Sequence, residues 1–341
     1  MGQMGLFDLD NRMAKIATKD PLIRLNEAID WNIFHQPLKK VRKKERKSNA
    51  GRRPFDALMM FKVLILQRLY NLSDEQTEYQ LRDRLSFFRF VGLGSEDVIP
   101  DEKTIWLFRE QLKELELVEE LFSRFDQYLS SHGYAAQKGQ IIDASFVEVP
   151  RQRNSREENE TIKGGSVPES WEKNPAKLNQ KDVEARWTKK NERDYYGYKN
   201  HVNVDVKNKL IRQYAITSAE VHDSQKFEDL LDPWNTNGSV WADSAYDSEA
   251  NRAHLEEMIC KNRIHRKGRR NRPLSAFQQE QNTKKSKTRA LVEHTFAFFR
   301  TSMRLRVLRG IGKARAVVKI TLMNLIYNLC RYTYLQKIRT A

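Results

Sequence analysis

Gln140-Ile-Ile-Asp-Ala-Ser-Phe-Val-Glu-Val149 is the stretch that decides the fold. Up to Gly133 the apolar residues recur with a helical period; here the period becomes two. Ile142, Ala144 and Phe146 point one way and Asp143 and Ser145 the other, as on a strand. An aspartate inside so apolar a run is unusual for a surface strand, and it marks Asp143 as a candidate functional carboxylate.

Reading outward toward the C-terminus, residues 151–193 are polar and charged with almost no aliphatics, and are expected to be a long loop or mobile insertion. Tyr196–Val206 alternates again, Asn208 supplies a turn, and Leu210–Ser218 pairs back as a hairpin. A short helix over Ser224–Leu231 precedes the strand Val240–Ala242, which ends at Asp243. Ser248–Met258 reads as helix, Lys261–Arg266 as a strand, Thr283–Arg300 as a helix, and Lys313–Lys337 as closing helices. Three strands, then helix and strand in alternation, is the order of a ribonuclease-H-like α/β domain, a mixed sheet flanked by helices.

Toward the N-terminus the pattern is all helical. A leader with a helix over Asp20–Ile33 leads into a basic connector ending in Gly51-Arg-Arg-Pro54. Pro54 suits a first helical position, opening an apolar helix over Phe55–Tyr70. Ser73 and Gln76 form a capping box, Gly92-Leu-Gly94 stops the chain, and Pro100-Asp-Glu-Lys-Thr104 opens another helix. A last helix spans Val118–His132. The expected division is a basic leader (1–50), a helical and DNA-binding N-terminal domain (51–134), and the α/β domain (135–341). Helical clusters of this kind occur with and without a helix-turn-helix reader, so DNA contact here is one of two readings.

The 341 residues carry a formal charge of +16. Nine Lys/Arg against Glu45 within 38–53, and eleven against Glu280 within 261–289, exceed that whole excess, so the charge is concentrated in two segments. Such clustering favours a polyanionic partner, double-stranded DNA. The two cysteines, Cys260 and Cys330, have no metal-finger spacing and support neither a disulfide framework nor zinc. A signal peptide is not visible, and Lys62, Arg68 and Arg331 interrupt the apolar runs, so no membrane association is expected. The compartment is expected to be a reducing one.

Asp143, Asp243 and Glu293 sit in three unlike local patterns, two strand-borne and one helix-borne. Brought together they form a cage of hard oxygen ligands suited to two Mg²⁺ ions, with Mn²⁺ as a substitute. Simpler readings stand beside this one: Asp243 as a turn cap, and Glu293 in a surface salt bridge with Arg289 at i−4. Arg289, Glu293 and Arg300 fall on one helical stripe, which puts two guanidinium groups suited to phosphate beside the acid. Further candidate DNA contacts are Arg52, Arg53, Arg266, Lys267, Arg269 and Arg270 in the basic runs. Tyr198, Lys199 and His201 could hold an unstacked base or a phosphate, or the tyrosines could simply pack the hairpin. His201 and His222 could orient carboxylates or phosphates, or be satisfied core histidines.

Four stretches resemble DDE transposases of bacterial insertion sequences, most nearly the insertion-sequence-five group: Ile141-Ile-Asp-Ala-Ser145; Asp194-Tyr-Tyr-Gly-Tyr-Lys-Asn-His201; Ala219-Glu-Val-His-Asp-Ser224 with Val240-Trp-Ala-Asp-Ser-Ala-Tyr246; and Arg289-x-x-x-Glu293. The helical region Gly51–Leu112 is similar to that family's N-terminal domain. The resemblance implies that Asp143, Asp243 and Glu293 are the catalytic triad. It also implies binding of terminal inverted repeats, cleavage to free 3′-hydroxyls, joining to target DNA, and a homodimer or higher oligomer on DNA. The family's last motif carries Tyr where this chain has Ser286 and Lys where it has Arg300. A metal-dependent nuclease of the same fold and a non-catalytic DNA-binding regulator are the competing readings.

Overall fold

The computed structural model describes residues 20–42, 54–94, 96–135, 138–190, 192–235, 238–268 and 270–340. The chain divides into two compact units, residues 1–128 with 325–341, and residues 129–324.

The first unit is helical: α1 (Pro21–Ala28), α2 (His35–Lys39), α3 (Ala57–Leu69), α4 (Asp74–Asp83), α5 (Leu85–Val91), α6 (Glu102–Glu114) and most of α7 (Leu117–Ser131). Helix α3 begins later than Pro54 suggests, because the Asp56 carboxylate caps it, accepting from the Met59 N–H at 2.8 Å. The Ser73–Gln76 capping box forms on α4, and Gly92 ends α5 at φ +83°. Phe34, Phe61, Phe87, Phe90 and Phe125 are buried in the core. Phe34 meets Phe61 and Phe125 at tilted angles, with the Phe34 and Phe61 centroids 5.0 Å apart. The polar clasp of this unit is Arg109, which donates to both Asp74 oxygens at 2.6 and 2.8 Å and to Gln67 Oε1 at 2.8 Å.

The second unit is a six-stranded mixed sheet with helices: β1 (Gln140–Glu148), α8 (Arg156–Lys163), α9 (Glu169–Glu172), α10 (Pro175–Leu178), β2 (Arg186–Lys190), β3 (Arg193–Asp205), β4 (Ile211–Ser218), α11 (Phe227–Leu230), β5 (Ser239–Ala242), α12 (Glu249–Glu257), β6 (Lys261–Asn262), α13 (Ala276–Arg289), α14 (Glu293–Thr301) and the start of α15 (Lys313–Thr340). The order is β4-β3-β1-β5-β6, with β2 extending the edge of β3 beside β4. Strands β1, β3 and β4 are antiparallel, while β5 and β6 run parallel to β1. This is the expected ribonuclease-H-like arrangement. Ile142, Phe227, Val240 and Leu255 fill the core on one face of β1. Val147, Val149, Tyr196 and Ile320 fill the other. Among the described residues no helix is long and apolar enough to cross a membrane.

Three sequence expectations need correction. Residues 151–193 are not a structureless loop. They form α8–α10 and β2, and are organised by polar contacts: a Ser155–Glu158 capping box, and a fully buried Trp171 whose indole N–H reaches Glu158 at 2.6 Å. The helix expected over Thr283–Arg300 is two helices, α13 and α14, separated by a 3₁₀ turn over Ala290–Val292. Strand β6 is only two residues long, yet Arg263 N–H and His265 N–H continue the parallel bonding to Val240 and Ala242 carbonyls at 2.9 and 3.1 Å.

Candidate active site

The parallel register pairs Ile142 with Ala242, so Asp143 and Asp243 are each the next residue on neighbouring strands. Asp143 is 8% exposed. Its Oδ1 accepts from the Ala144 N–H at 2.8 Å and its Oδ2 from Arg289 Nη1 at 2.8 Å. Burial pushes its carboxyl up to about 6; the Arg289 guanidinium and the Ala144 N–H oppose this, while Asp243 and Glu293 add to it. Asp143 therefore senses both other carboxylates electrostatically.

Asp243 leaves β5 and caps the 3₁₀ turn Ser244–Tyr246, accepting from the Ser244 N–H and hydroxyl. Capping thus coexists with a place beside Asp143. Glu293 is the first residue of α14, exposed, and makes no ion pair among the described residues. Arg289, the last residue of α13, bonds Asp143 and not Glu293. The i−4 salt bridge that would have made Glu293 an ordinary surface residue is absent among the described residues.

As donors the three carboxylates fit a hard divalent cation: all are oxygen ligands, and Asp243 and Glu293 add to the rise that burial gives Asp143. They are not drawn into a closed cage, however. Among the described residues no group of three His, Cys, Asp or Glu stands ready to hold a metal ion, and a guanidinium already occupies one Asp143 oxygen.

Three expected DNA contacts are turned inward. The Tyr198 hydroxyl, 1% exposed, donates toward Asp182 with its oxygens at 2.8 and 2.9 Å. Lys199 Nζ binds Asp223 Oδ1 at 2.8 Å and the Val221 carbonyl at 2.7 Å. His201 is fully buried and shares a 2.8 Å hydrogen bond with Thr217 Oγ1. In this structure they brace β3. His222 caps the 3₁₀ turn Asp223–Lys226 through Ser224. Arg266, Lys267, Arg270 and Arg300 are exposed, while Arg52, Arg53 and Arg269 lie outside the described residues.

Two features were missed. His265 follows β6, with its N–H on the Ala242 carbonyl and Nε2 3.4 Å from Ser286 Oγ, so it stands beside Asp243 where the family's tyrosine is replaced. Its signal, a histidine at the end of a strand parallel to β5, was present but uncounted. Phe146 and Tyr195 stack face to face, centroids 4.1 Å apart and planes 11° off parallel. Attention to Tyr196 and Tyr198 hid Tyr195, which strand alternation sends to the opposite face.

Comparison with known proteins identifies the family. Residues 135–329 match the family described as the transposase DDE domain, and residues 10–111 match a transposase domain (DUF772). Among solved structures, the cryo-EM structure of the piggyBac transposase synaptic complex with hairpin DNA is similar in fold, at 12% identity and a TM-score of 0.50. The match covers 94% of this chain and 76% of that one. The DDE-domain match spans more than half of the chain, and the protein belongs to the DDE transposase family.

Proposed function

We propose that this DNA transposase binds the terminal inverted repeats of its own element, cleaves the ends to free 3′-hydroxyls, and joins them to target DNA. The observation that carries the reading is the β1–β5 register, which sets Asp143 and Asp243 side by side with Glu293 within electrostatic reach of Asp143. Asp143, Asp243 and Glu293 would hold Mg²⁺ or Mn²⁺. Two such ions supply activation of the attacking oxygen and charge stabilisation on the leaving oxygen.

Cleavage is hydrolysis: a water oxygen attacks the phosphorus, the P–O3′ bond breaks, and a 3′-hydroxyl and a 5′-phosphate result. Joining is transesterification: that 3′-oxygen attacks a target phosphorus and displaces a target 3′-oxygen, which takes up the proton. The number of phosphodiesters is unchanged and no bond to protein forms. Arg289 and Arg300 flank Glu293 in sequence and offer guanidinium forks to the phosphates. The basic stretch with Arg266, Lys267 and Arg270 lies between the second and third acids and tracks the duplex backbone. Two ends have to be held at once, so the working form is a homodimer or larger on DNA, in the bacterial cytoplasm.

Asp143→Asn, Asp243→Asn and Glu293→Gln test the assignment. Each is expected to retain DNA binding while Mg²⁺-dependent strand cleavage falls by roughly a thousandfold or more, as for loss of a main electrostatic contribution to the transition state. Metal-dependent nicking retained by any one of them removes that residue from the site. A pre-cut 3′-hydroxyl end and a target plasmid separate joining from simple nuclease action.

A further inference from the structure

Strand register places a third residue in the row that holds the two aspartates. Ile142 of β1 pairs with Ala242 of β5, and Val240 of β5 pairs with Asn262 of β6. Past the end of β6 the bonding continues: the Arg263 N–H donates to the Val240 carbonyl at 2.9 Å and the His265 N–H to the Ala242 carbonyl at 3.1 Å. In a parallel ladder this sets His265 opposite Asp243 on one side, as Asp143 is opposite it on the other. One step back, Ile142, Ala242 and Ile264 are buried together in one hydrophobic core. Side chains alternate along a strand, so Asp143, Asp243 and His265 emerge as a row on the other face.

Helix α13 lies over that row with a polar stripe. Arg289 donates to Asp143 at one end, and Ser286, three residues earlier on the same side of the helix, meets His265 at the other. The segment carrying His265 is pinned to the helix on both sides. Lys285 Nζ donates to the Ile264 carbonyl at 2.7 Å, and the Asn282 amide exchanges two 3.0 Å hydrogen bonds with the Arg266 backbone. Asp243 stands between the two ends and uses only Oδ1, on Ser244; among the described residues no hydrogen bond reaches its Oδ2.

The hydrogen bonds of Ser286 fix the state of the imidazole. Its hydroxyl donates its one proton to the Asn282 carbonyl at 3.0 Å. The Ser286 oxygen therefore accepts from His265 Nε2, across a long 3.4 Å, and the ring proton is on Nε2. Nδ1 keeps its lone pair, and among the described residues nothing donates to it. A neutral imidazole held through one nitrogen and bare at the other is the form in which histidine binds a metal ion.

We infer that His265 is a further metal ligand of this site, supplying Nδ1 to a divalent ion held by Asp243. The inference rests on the metal-dependent transposase reading of the carboxylates. Neighbouring strands are about 4.8 Å apart, so the row has two gaps: Asp143 to Asp243 beside Arg289, and Asp243 to His265 beside Ser286. The row stands open, and an ion in the second gap draws the carboxylate and the imidazole toward each other. A nitrogen ligand there favours Mn²⁺ over Mg²⁺, which prefers shells of oxygen alone.

The test is pulsed electron paramagnetic resonance of Mn²⁺ bound to the full chain. A directly bound histidine nitrogen should modulate the spin echo, and protein made with histidine of the heavy nitrogen isotope should show that isotope's pattern instead. Neither result depends on a variant folding. His265→Gln should abolish the nitrogen signal and weaken Mn²⁺ binding by roughly tenfold, while Mg²⁺ affinity, read by competition, stays within about twofold. His254→Gln is the control, because His254 Nδ1 lies 3.9 Å from Glu257 and 4.0 Å from Glu228 and offers Mn²⁺ a surface alternative; this variant should keep the signal. Bound Mn²⁺ without a histidine nitrogen signal, or a signal that survives His265→Gln, overturns the inference. If that Mn²⁺ is still lost in Asp143→Asn and Asp243→Asn, the carboxylate site stands and only His265 falls. If those variants bind Mn²⁺ as wild type does, the metal-dependent reading falls with it.

Discussion

Arg289 Nη1 reaches across 146 residues of sequence to donate to Asp143 Oδ2 at 2.8 Å, placing a guanidinium where a metal-binding carboxylate needs its cation. Arg289 Nε is buried without an acceptor, so its fork is only half used. With the Arg289 side chain 25% exposed, the pair lies between a surface bridge and a buried one. Arg289→Gln is therefore expected to cost roughly 2 kcal/mol without divalent ions, lowering Tm by roughly 6 °C for a unit of this size. Added Mn²⁺ should raise the Tm of the variant more than that of wild type. An equal Mn²⁺ response in a calorimetric scan would show that the two cations do not compete for Asp143.

Asp143 itself should make metal binding pH-dependent. Burial raises its carboxyl from the ordinary 3.8 to about 6. Between those values the native state keeps a proton that the unfolded chain releases, so this group's contribution to stability falls as pH rises through the window and then levels off. Metal binding requires the ionised form and should strengthen over the same window. Mn²⁺ titrations at pH 5 and pH 7 should show tighter binding at pH 7. Asp143→Asn should remove this group's share of the metal-free slope of Tm against pH.

The sheet was legible because its strands carry the period-two signal, and Asp143 and Asp243 stood out as acids ending or interrupting apolar runs. The break before Glu293 was not, because Ala290-Leu-Val292 contains neither Gly nor Pro. The 3₁₀ turn coincides with tertiary anchors, the fully buried Val292 and the Arg289–Asp143 pair. Residues 151–193 misled for the opposite reason. Their order comes from polar contacts such as Lys177 and Trp171 converging on Glu158, which an apolar count does not see. In strand β3 Asn203 and Asp205 alternate with valines, yet neither faces water. Both are buried: Asn203 Nδ2 donates to Gln140 Oε1 and the Leu230 carbonyl, and Asp205 accepts from the N–H groups of Asn208 and Leu210.

His201 predicts acid sensitivity. Thr217 Oγ1 donates to the Ser218 carbonyl, so it accepts from His201 Nε2, which leaves Nδ1 buried as a bare acceptor. Burial holds the imidazole pKa well below its ordinary 6.5, and Lys199 and Lys226 push the same way against Asp223. The unfolded chain thus binds the proton more readily, and stability present above pH 6.5 is lost as pH falls below it. His201→Gln should flatten Tm between pH 6.5 and 5 relative to wild type. An unchanged slope would place the acid sensitivity elsewhere.

Asn200 on β3 and Asn324 on α15 exchange amide hydrogen bonds, Asn200 Nδ2 to Asn324 Oδ1 at 2.8 Å and Asn324 Nδ2 to Asn200 Oδ1 at 3.1 Å. Both side chains are essentially inaccessible to water. Replacing one by leucine strands a donor and an acceptor in the interior, so Asn200→Leu or Asn324→Leu should each cost about 2–4 kcal/mol. The double leucine variant removes both polar partners at similar volume and should recover most of that loss, giving a coupling of roughly 2 kcal/mol or more in a denaturant double-mutant cycle. Additive losses would mean that neither amide depends on the other. Strong coupling would identify the amide pair as what fixes the register of the start of α15 against β3, since an apolar contact there could slide by a turn and a reciprocal amide pair cannot.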